Sequence, residues 1–274
     1  MILFPNAKIN IGLNIIRRRP DCYHDLETVM IPVPWHDILE IVPGHTGGDT
    51  LTLSGRPVDC PPEKNLVMKA VKALRDEVDF GPVDICLEKI IPDGAGLGGG
   101  SADAAFTLKG INQLFELGLD NSRLARIAAS LGADCPFFIY NRPQLCTGTG
   151  TDLHPFDISL PAPLWIAIVK PNESVSTAEA YRGVRPATPA APLAETLTQL
   201  PLSQWQGIVK NDFETSVFPT HQAISQIKDT LLSQGAVYVA MSGSGSAVFA
   251  LFDRADAFKP LSQWNCYLYN ELHI

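Results

Sequence analysis

The stretch P-D-G-A-G-L-G-G-G-S-A-D-A-A, residues 92–105, decides how the rest of the chain is read. Five of the seven residues from Gly94 to Gly100 are glycines. Without Cβ atoms, such a turn brings its backbone N–H groups close to a ligand. Upstream, Val83, Ile85 and Leu87 alternate as in a strand. Downstream, Ala105, Leu108, Ile111, Leu114 and Phe115 keep the 3.6-residue spacing of a helix that stops near Gly118. A flexible linker rarely sits between a strand and a well-formed helix. The stretch therefore predicts a strand, an anion-holding turn, and a helix whose N-terminus adds unpaired N–H groups and the positive end of its dipole. Ser101 is placed to cap that helix or to offer its hydroxyl to a phosphate or to Mg²⁺.

Two other phosphate loops are excluded. The Walker pattern ends in Gly-Lys-Ser/Thr, whereas Gly100 is followed directly by Ser101. Gly94, Gly96 and Gly99 match G-x-G-x-x-G, but a dinucleotide fold also requires repeated strand–helix–strand units. The residues before this loop are strand-rich instead. Lys8 to Ile16 alternates, with Ile9, Ile11, Leu13 and Ile15 on one face and Lys8, Asn10, Gly12 and Asn14 on the other, as in a half-buried strand. Strands follow at 26–33 and 37–42, and 44–55 reads as a hairpin around Gly47-Gly48. Helical spacing occupies 65–77 and 122–131, the second behind an Asp120-Asn121 cap, and 137–140 reads as a strand. Residues 165–169 form a short apolar strand, and 185–192 is a Pro/Ala-rich linker or loop. The remainder reads helix (220–233), strand (236–241), tight turn, strand (247–252), helix, and a last strand near 266–272.

With 274 residues, 46% hydrophobic and 18% charged, the chain buries one large core or two modest ones. A net charge of −8 repels nucleic-acid backbone and anionic lipid, so neither nucleic acid nor membrane is expected as a partner. A polyanionic ligand must then be met by local donors and a metal ion. Six scattered cysteines with no C-x-x-C pair, and no signal-peptide pattern, predict free thiols in the cytoplasm. The six histidines lack H-E-x-x-H or Cys/His spacing, so no protein-held zinc is expected.

Other positions carry two readings each. Lys8 is either an ordinary edge-strand lysine or a cation for transferring phosphoryl charge. Asp134, in L-G-A-D-C-P at 131–136, either caps a helix-to-strand corner or accepts a proton from an attacking hydroxyl. M-S-G-S-G-S at 241–246 is a hairpin turn or a lid over the first glycine turn. Tyr23 and His24 lie in a polar loop suited to stacking on a base.

Taken together, A-K-I-N at 7–10, Tyr23-His24, the 94–105 run, L-G-A-D at 131–134 and S-G-S-G-S at 242–246 resemble the GHMP family of small-molecule kinases. Lys8-x-Asn10 with Tyr23-His24 points to its branch acting on a cytidyl-diphosphate sugar alcohol. The resemblance implies an α+β fold of two domains, 1–152 binding ATP and 153–274, with the active site in the cleft between them. It implies Asp134 as base and Lys8 as its charge-stabilising partner. It implies an ATP-phosphate loop of Pro92, Asp93, Gly94, Ala95, Gly96, Leu97, Gly98, Gly99, Gly100, Ser101 and Ala102, with Mg²⁺ on the phosphates. Asn65 falls at the adenine region, and Asn10 and Lys89 at positions that contact substrate or nucleotide. Tyr23, His24 and Tyr181 fall at the cytosine site, with Tyr181 as a second aromatic slab. Another GHMP kinase (for homoserine or a sugar) and a silent nucleotide sensor are the alternatives. Tyr23-His24 disfavours the first, and the presence of both Lys8 and Asp134 disfavours the second. Cys22 stands where the family usually has glycine, and its Cβ fits only a backbone that does not require positive φ.

Overall fold

The computed structural model describes residues 1–45, 47–58, 60–264 and 266–273. In chain order, the first elements are β1 (Ile2–Leu3), β2 (Asn6–Arg18), β3 (His24–His36), β4 (Ile38–Pro43), β5 (Thr50–Gly55), α1 (Leu66–Arg75) and β6 (Val83–Lys89). Next come α2 (Gly99–Leu114), α3 (Asn121–Ala129), α4 (Cys135–Tyr140), β7 (Gln144–Thr147), β8 (Asp152–Pro155) and β9 (Trp165–Val169). The last are α5 (Thr177–Arg182), α6 (Leu193–Gln199), α7 (Glu214–Val217), α8 (Gln222–Ser233), β10 (Tyr238–Met241), β11 (Val248–Phe252) and β12 (Tyr267–Glu271). They gather into two compact units, one of Met1–Ala7, Trp35–Asp93 and Gly98–Arg142, the other of Lys8–Pro34, Gly94–Leu97 and Pro143–Ile274.

In the first unit the alternation of Val83, Ile85 and Leu87 does what the sequence predicts: all three side chains are buried. The sheet order is β1-β4-β6-β5, so β6 is flanked on both sides. It pairs antiparallel with β4 and parallel with β5. This corrects the expected hairpin at 44–55. β4 and β5 are consecutive, but β6 lies between them, because its apolar face and both backbone edges are satisfied only in the interior of the sheet. Asn65 begins α1, its Oδ1 accepting the N–H of Val67 at 2.9 Å, and Asp120 caps α3 through the N–H of Arg123 at 2.8 Å. α2 packs on α1 and on β4. Gly110 permits that approach, since a Cβ there would come within 2.7 Å of Leu3 and 2.8 Å of Ile41.

The expected strand at 137–140 is the helix α4. Phe137, Phe138 and Ile139 are all buried, and a run that is apolar on every side carries no period to separate strand from helix. Pro136 in the first turn and Asn141 at φ 49° after the last give it helical ends.

In the second unit, the sheet β10-β11-β9-β12 packs α8 on one face. Its core includes Val169, Phe213, Ile224, Leu231, Val248 and Phe252. The other sheet runs β2-β3-β7-β8. The helix expected between β11 and β12 is absent; 253–264 is bends and turns, in a stretch interrupted by Pro260. The Pro/Ala stretch 185–192 is a loop without helix or strand, as one of its two readings expected, and it is pinned to its neighbours. Ala187 donates its N–H to Ile15 O at 3.0 Å, and Leu193, which opens α6, donates to Glu27 Oε1 at 3.1 Å.

Candidate active site

The polar face of β2, read from alternation as half-buried, is covered at Lys8 and Asn10. Lys8 and Asn10 are 3% and 1% exposed, and neighbouring chain covers the strand, with Leu13 N donating to Lys210 O and Asp212 N to Leu13 O. Buried polar side chains need partners, and these form a chain. Lys8 Nζ donates to Asn10 Oδ1 at 2.7 Å, Asn10 Nδ2 donates to Thr28 Oγ1 at 3.1 Å, and the Thr28 hydroxyl donates to Gly12 O at 2.6 Å. The Lys8 backbone N–H donates to Leu97 O at 2.9 Å, tying the strand to the glycine turn.

That turn takes three left-handed residues, Gly94, Gly96 and Gly98, at φ 59°, 74° and 72°. Gly96 is the tightest. A Cβ there would lie 2.0 Å from Ser242 O, and the Ser242 hydroxyl donates to Gly96 O at 2.9 Å. The Ala247 N–H donates to Ala95 O at 3.1 Å. The second small-residue turn therefore packs directly on the first. Asn211 holds it from the other side, its Nδ2 donating to Met241 O and Gly243 O at 2.7 and 2.8 Å.

Gly98, not Ser101, occupies the N-cap of α2, and no side chain caps the helix. Ser101 is inside the first turn, where its hydroxyl bonds the Cys135 thiol. Burial pushes that thiol up to about 11. Asp134 directly precedes Cys135 at the N-cap position of α4, without capping that helix. The helix-to-strand corner expected there is thus a turn between α3 and α4, in the same neighbourhood as the start of α2.

Within the first unit, Lys89 meets two carboxylates that the sequence reading did not single out. Lys89, at the end of β6, is buried and donates to Asp37 Oδ2 and, at 2.7 Å, to Asp103 Oδ2. Asn65, Lys64, Lys89, Asp93, Gly100 and Asp103 contribute to a pocket of about 150 Å³ in this unit.

On the second unit, the His24 ring stacks on Tyr181 with centroids 4.8 Å apart and planes at 19°. Tyr181 in turn meets the edge of Phe213 at 4.8 Å. Tyr23 is 68% exposed beside them. Burial, with help from the charge of Arg18, lowers the His24 pKa, keeping the imidazole neutral near pH 7. Cys22 does adopt positive φ, 70°, where the sequence reading required it not to. The turn enforces that angle: Arg19 N donates to Tyr23 O at 2.8 Å and Cys22 N to Arg19 O at 3.1 Å, while Asp21 Oδ1 accepts from Tyr23 N at 3.1 Å.

The first unit thus carries Asn65, Lys89, Pro92, Asp93, Gly98 to Ala102 and Asp134, and the second Lys8, Asn10, Tyr23, His24, Gly94 to Leu97 and Tyr181. Among the described residues, no helix is long and apolar enough to cross a membrane.

Known proteins share this pattern. Residues 65–142 match the profile of the GHMP kinases N terminal domain and 192–270 that of the GHMP kinases C terminal. A 4-diphosphocytidyl-2-C-methyl-D-erythritol kinase of Parabacteroides distasonis is 51% identical over 98% of this chain and 98% of its own. One from Porphyromonas gingivalis is 44% identical over 99% of each chain. A crystal structure of 4-(cytidine 5'-diphospho)-2C-methyl-D-erythritol kinase superposes with a TM-score of 0.82 at 32% identity, covering 99% of this chain and 98% of that one. The homoserine kinase from Cytophaga hutchinsonii shares the fold, with a TM-score of 0.67 at 19% identity over 92% of this chain and 86% of that one. With an uncapped helix behind its glycine turn, both family profiles in order and near-full-length relatives, the chain belongs to the GHMP kinase family.

Proposed function

We propose that this protein is a 4-diphosphocytidyl-2-C-methyl-D-erythritol kinase, moving the γ-phosphoryl group of ATP to the 2-hydroxyl of the erythritol portion. Tyr23, His24 and Tyr181 carry the choice of substrate. A neutral imidazole donates one hydrogen bond and accepts another, which suits the amino and ring-nitrogen edge of cytosine, and the aromatic faces supply stacking.

ATP fits the residues present. At Gly94 an added Cβ would meet nothing within 4 Å, so the turn is open there, and no side chain caps the N-terminal N–H groups of α2. The turn from Pro92 to Ala102 binds the phosphates, and Asn65 and Lys89 lie toward the nucleoside. Mg²⁺ would sit on the phosphate oxygens with the Ser101 hydroxyl, neutralising charge there. Asp134 removes the proton of the 2-hydroxyl, whose oxygen forms the new P–O bond as the bond to ADP breaks. Lys8, fixed by Asn10, lowers the cost of the charge that gathers on the reacting oxygens. Residues 1–152 form the ATP-binding domain and 153–274 the second domain in this assignment, acting in the cytoplasm, where six free cysteines are at home.

ADP release tests these roles. Asp134→Ala and Lys8→Ala should each lower turnover by about 10²-fold or more in protein that still folds, the buried Lys8 costing some thermal stability as well. Near-normal turnover in a folded Asp134→Ala protein would remove Asp134 as the base.

A further inference from the structure

Lys89 answers to two carboxylates. Beyond the bonds from Lys89, Asp37 accepts the backbone N–H groups of Ile90 and Ile91 on Oδ1, at 2.6 and 2.8 Å. Those two residues lead from β6 into the glycine turn. Asp103 lies one turn into α2, and its Oδ1 is buried with no hydrogen-bond partner while the residue lines the small pocket. The first residue of α2 rests on the same group: a Cβ on Gly99 would come within 3.0 Å of Ile91 and 3.4 Å of Lys89 Nζ.

Stability alone does not explain two buried acids around one ammonium. Desolvating three charges competes with their attraction, and one anion is left over. Burial pushes the Asp103 carboxyl up to about 7, against the charge of Lys89 and with that of Asp37. What the arrangement does supply is geometry. Asp37 holds the end of the strand, Asp103 the start of the helix, and Lys89 joins them.

Resting on the ATP-kinase reading above, we propose that Asp37 and Asp103 are positioning residues that, through Lys89, fix the first turn of α2 against the end of β6 and so set the affinity for ATP. Asp103→Asn keeps the shape of the side chain and removes its charge. Binding of a β,γ-imido ATP analogue by calorimetry reads affinity without turnover, and ADP release with the cytidyl substrate gives both KM values. Asp103→Asn should raise the analogue's Kd and the KM for ATP by about tenfold or more, with the KM for the alcohol unchanged within about twofold. Adding Lys89→Met to Asp103→Asn should weaken binding less than the two single effects combined.

Unchanged analogue affinity in a folded Asp103→Asn protein overturns the proposal. So does a parallel rise in both KM values together with a lowered unfolding temperature, which marks a purely structural role. Asp37→Asn gives the same reading should Asp103→Asn not fold, and failure of both to fold overturns it too. A wild-type protein that binds the analogue but releases no ADP with the cytidyl substrate would remove the proposed function and leave the Kd comparison decisive for the cluster.

Discussion

At Cys22 the backbone holds φ 70°, an angle that costs an L-residue roughly 1–2 kcal/mol. Glycine would escape that cost but bring more freedom to the unfolded chain, worth about 0.4–1 kcal/mol. Cys22→Gly should therefore raise stability slightly, by about 0.5 kcal/mol in urea unfolding, while β-branched Cys22→Val lowers it by about 1 kcal/mol or more. A clear loss on Cys22→Gly would mean that the cysteine side chain contributes packing. The glycine turn makes a sharper contrast. Gly94 has open space around an added Cβ, whereas Gly96 faces Ser242 O at 2.0 Å. Gly96→Ala should thus weaken ATP binding far more than Gly94→Ala, and equal effects would show that strain in φ dominates over contact. The glycine pattern was legible in the sequence because its chemistry is local. Asp37 and Asp103 were not, because they meet Lys89 from 52 and 14 residues away and no spacing rule links them.

Among the helices, α5 carries Tyr181 and is held from outside by an imidazole. His221, at the N-cap of α8, bonds Glu179 of α5 through Nε2 and Glu173 through Nδ1, both at 3.0 Å. These bonds, Glu179 first, raise the His221 pKa above its ordinary 6.5. A raised pKa means that the stabilising contribution is complete below 6.5 and fades as pH climbs through the higher folded value. The KM for the cytidyl substrate should accordingly rise over that climb, and His221→Gln should flatten this limb of the profile. An unchanged profile in His221→Gln would detach the pair of glutamates from Tyr181. Periodicity foretold β2, β6, α1 and α8 well, since each sets polar positions against apolar ones in sequence, and the short apolar run of β9 was legible by its length and branched residues. It failed at α4, apolar all round, and at 44–55, where turn residues were legible but the strand inserted between β4 and β5 pairs Thr50 with Asp84 and Leu51 with Ile85, far along the chain.

Across the chain as a whole, a formal charge of −8 gives no net attraction for a polyanion, so on the proposed reading nucleotide binding falls to backbone N–H groups and a few placed cations. The chain alternates between its two units, passing at 93–94 and again at 97–98, within the glycine turn itself. The sequence motifs mark the strand, glycine turn and helix of 83–114 as local structure, and the proposed substrate rests on three aromatic residues of the second unit. ADP release tests that assignment most directly, with the cytidyl-diphosphate erythritol, the same compound lacking its CMP portion, and homoserine offered side by side. The account predicts turnover on the intact cytidyl compound and at least about 10²-fold lower kcat/KM on the other two. Equal activity with and without the CMP portion, or a preference for homoserine, would contradict it.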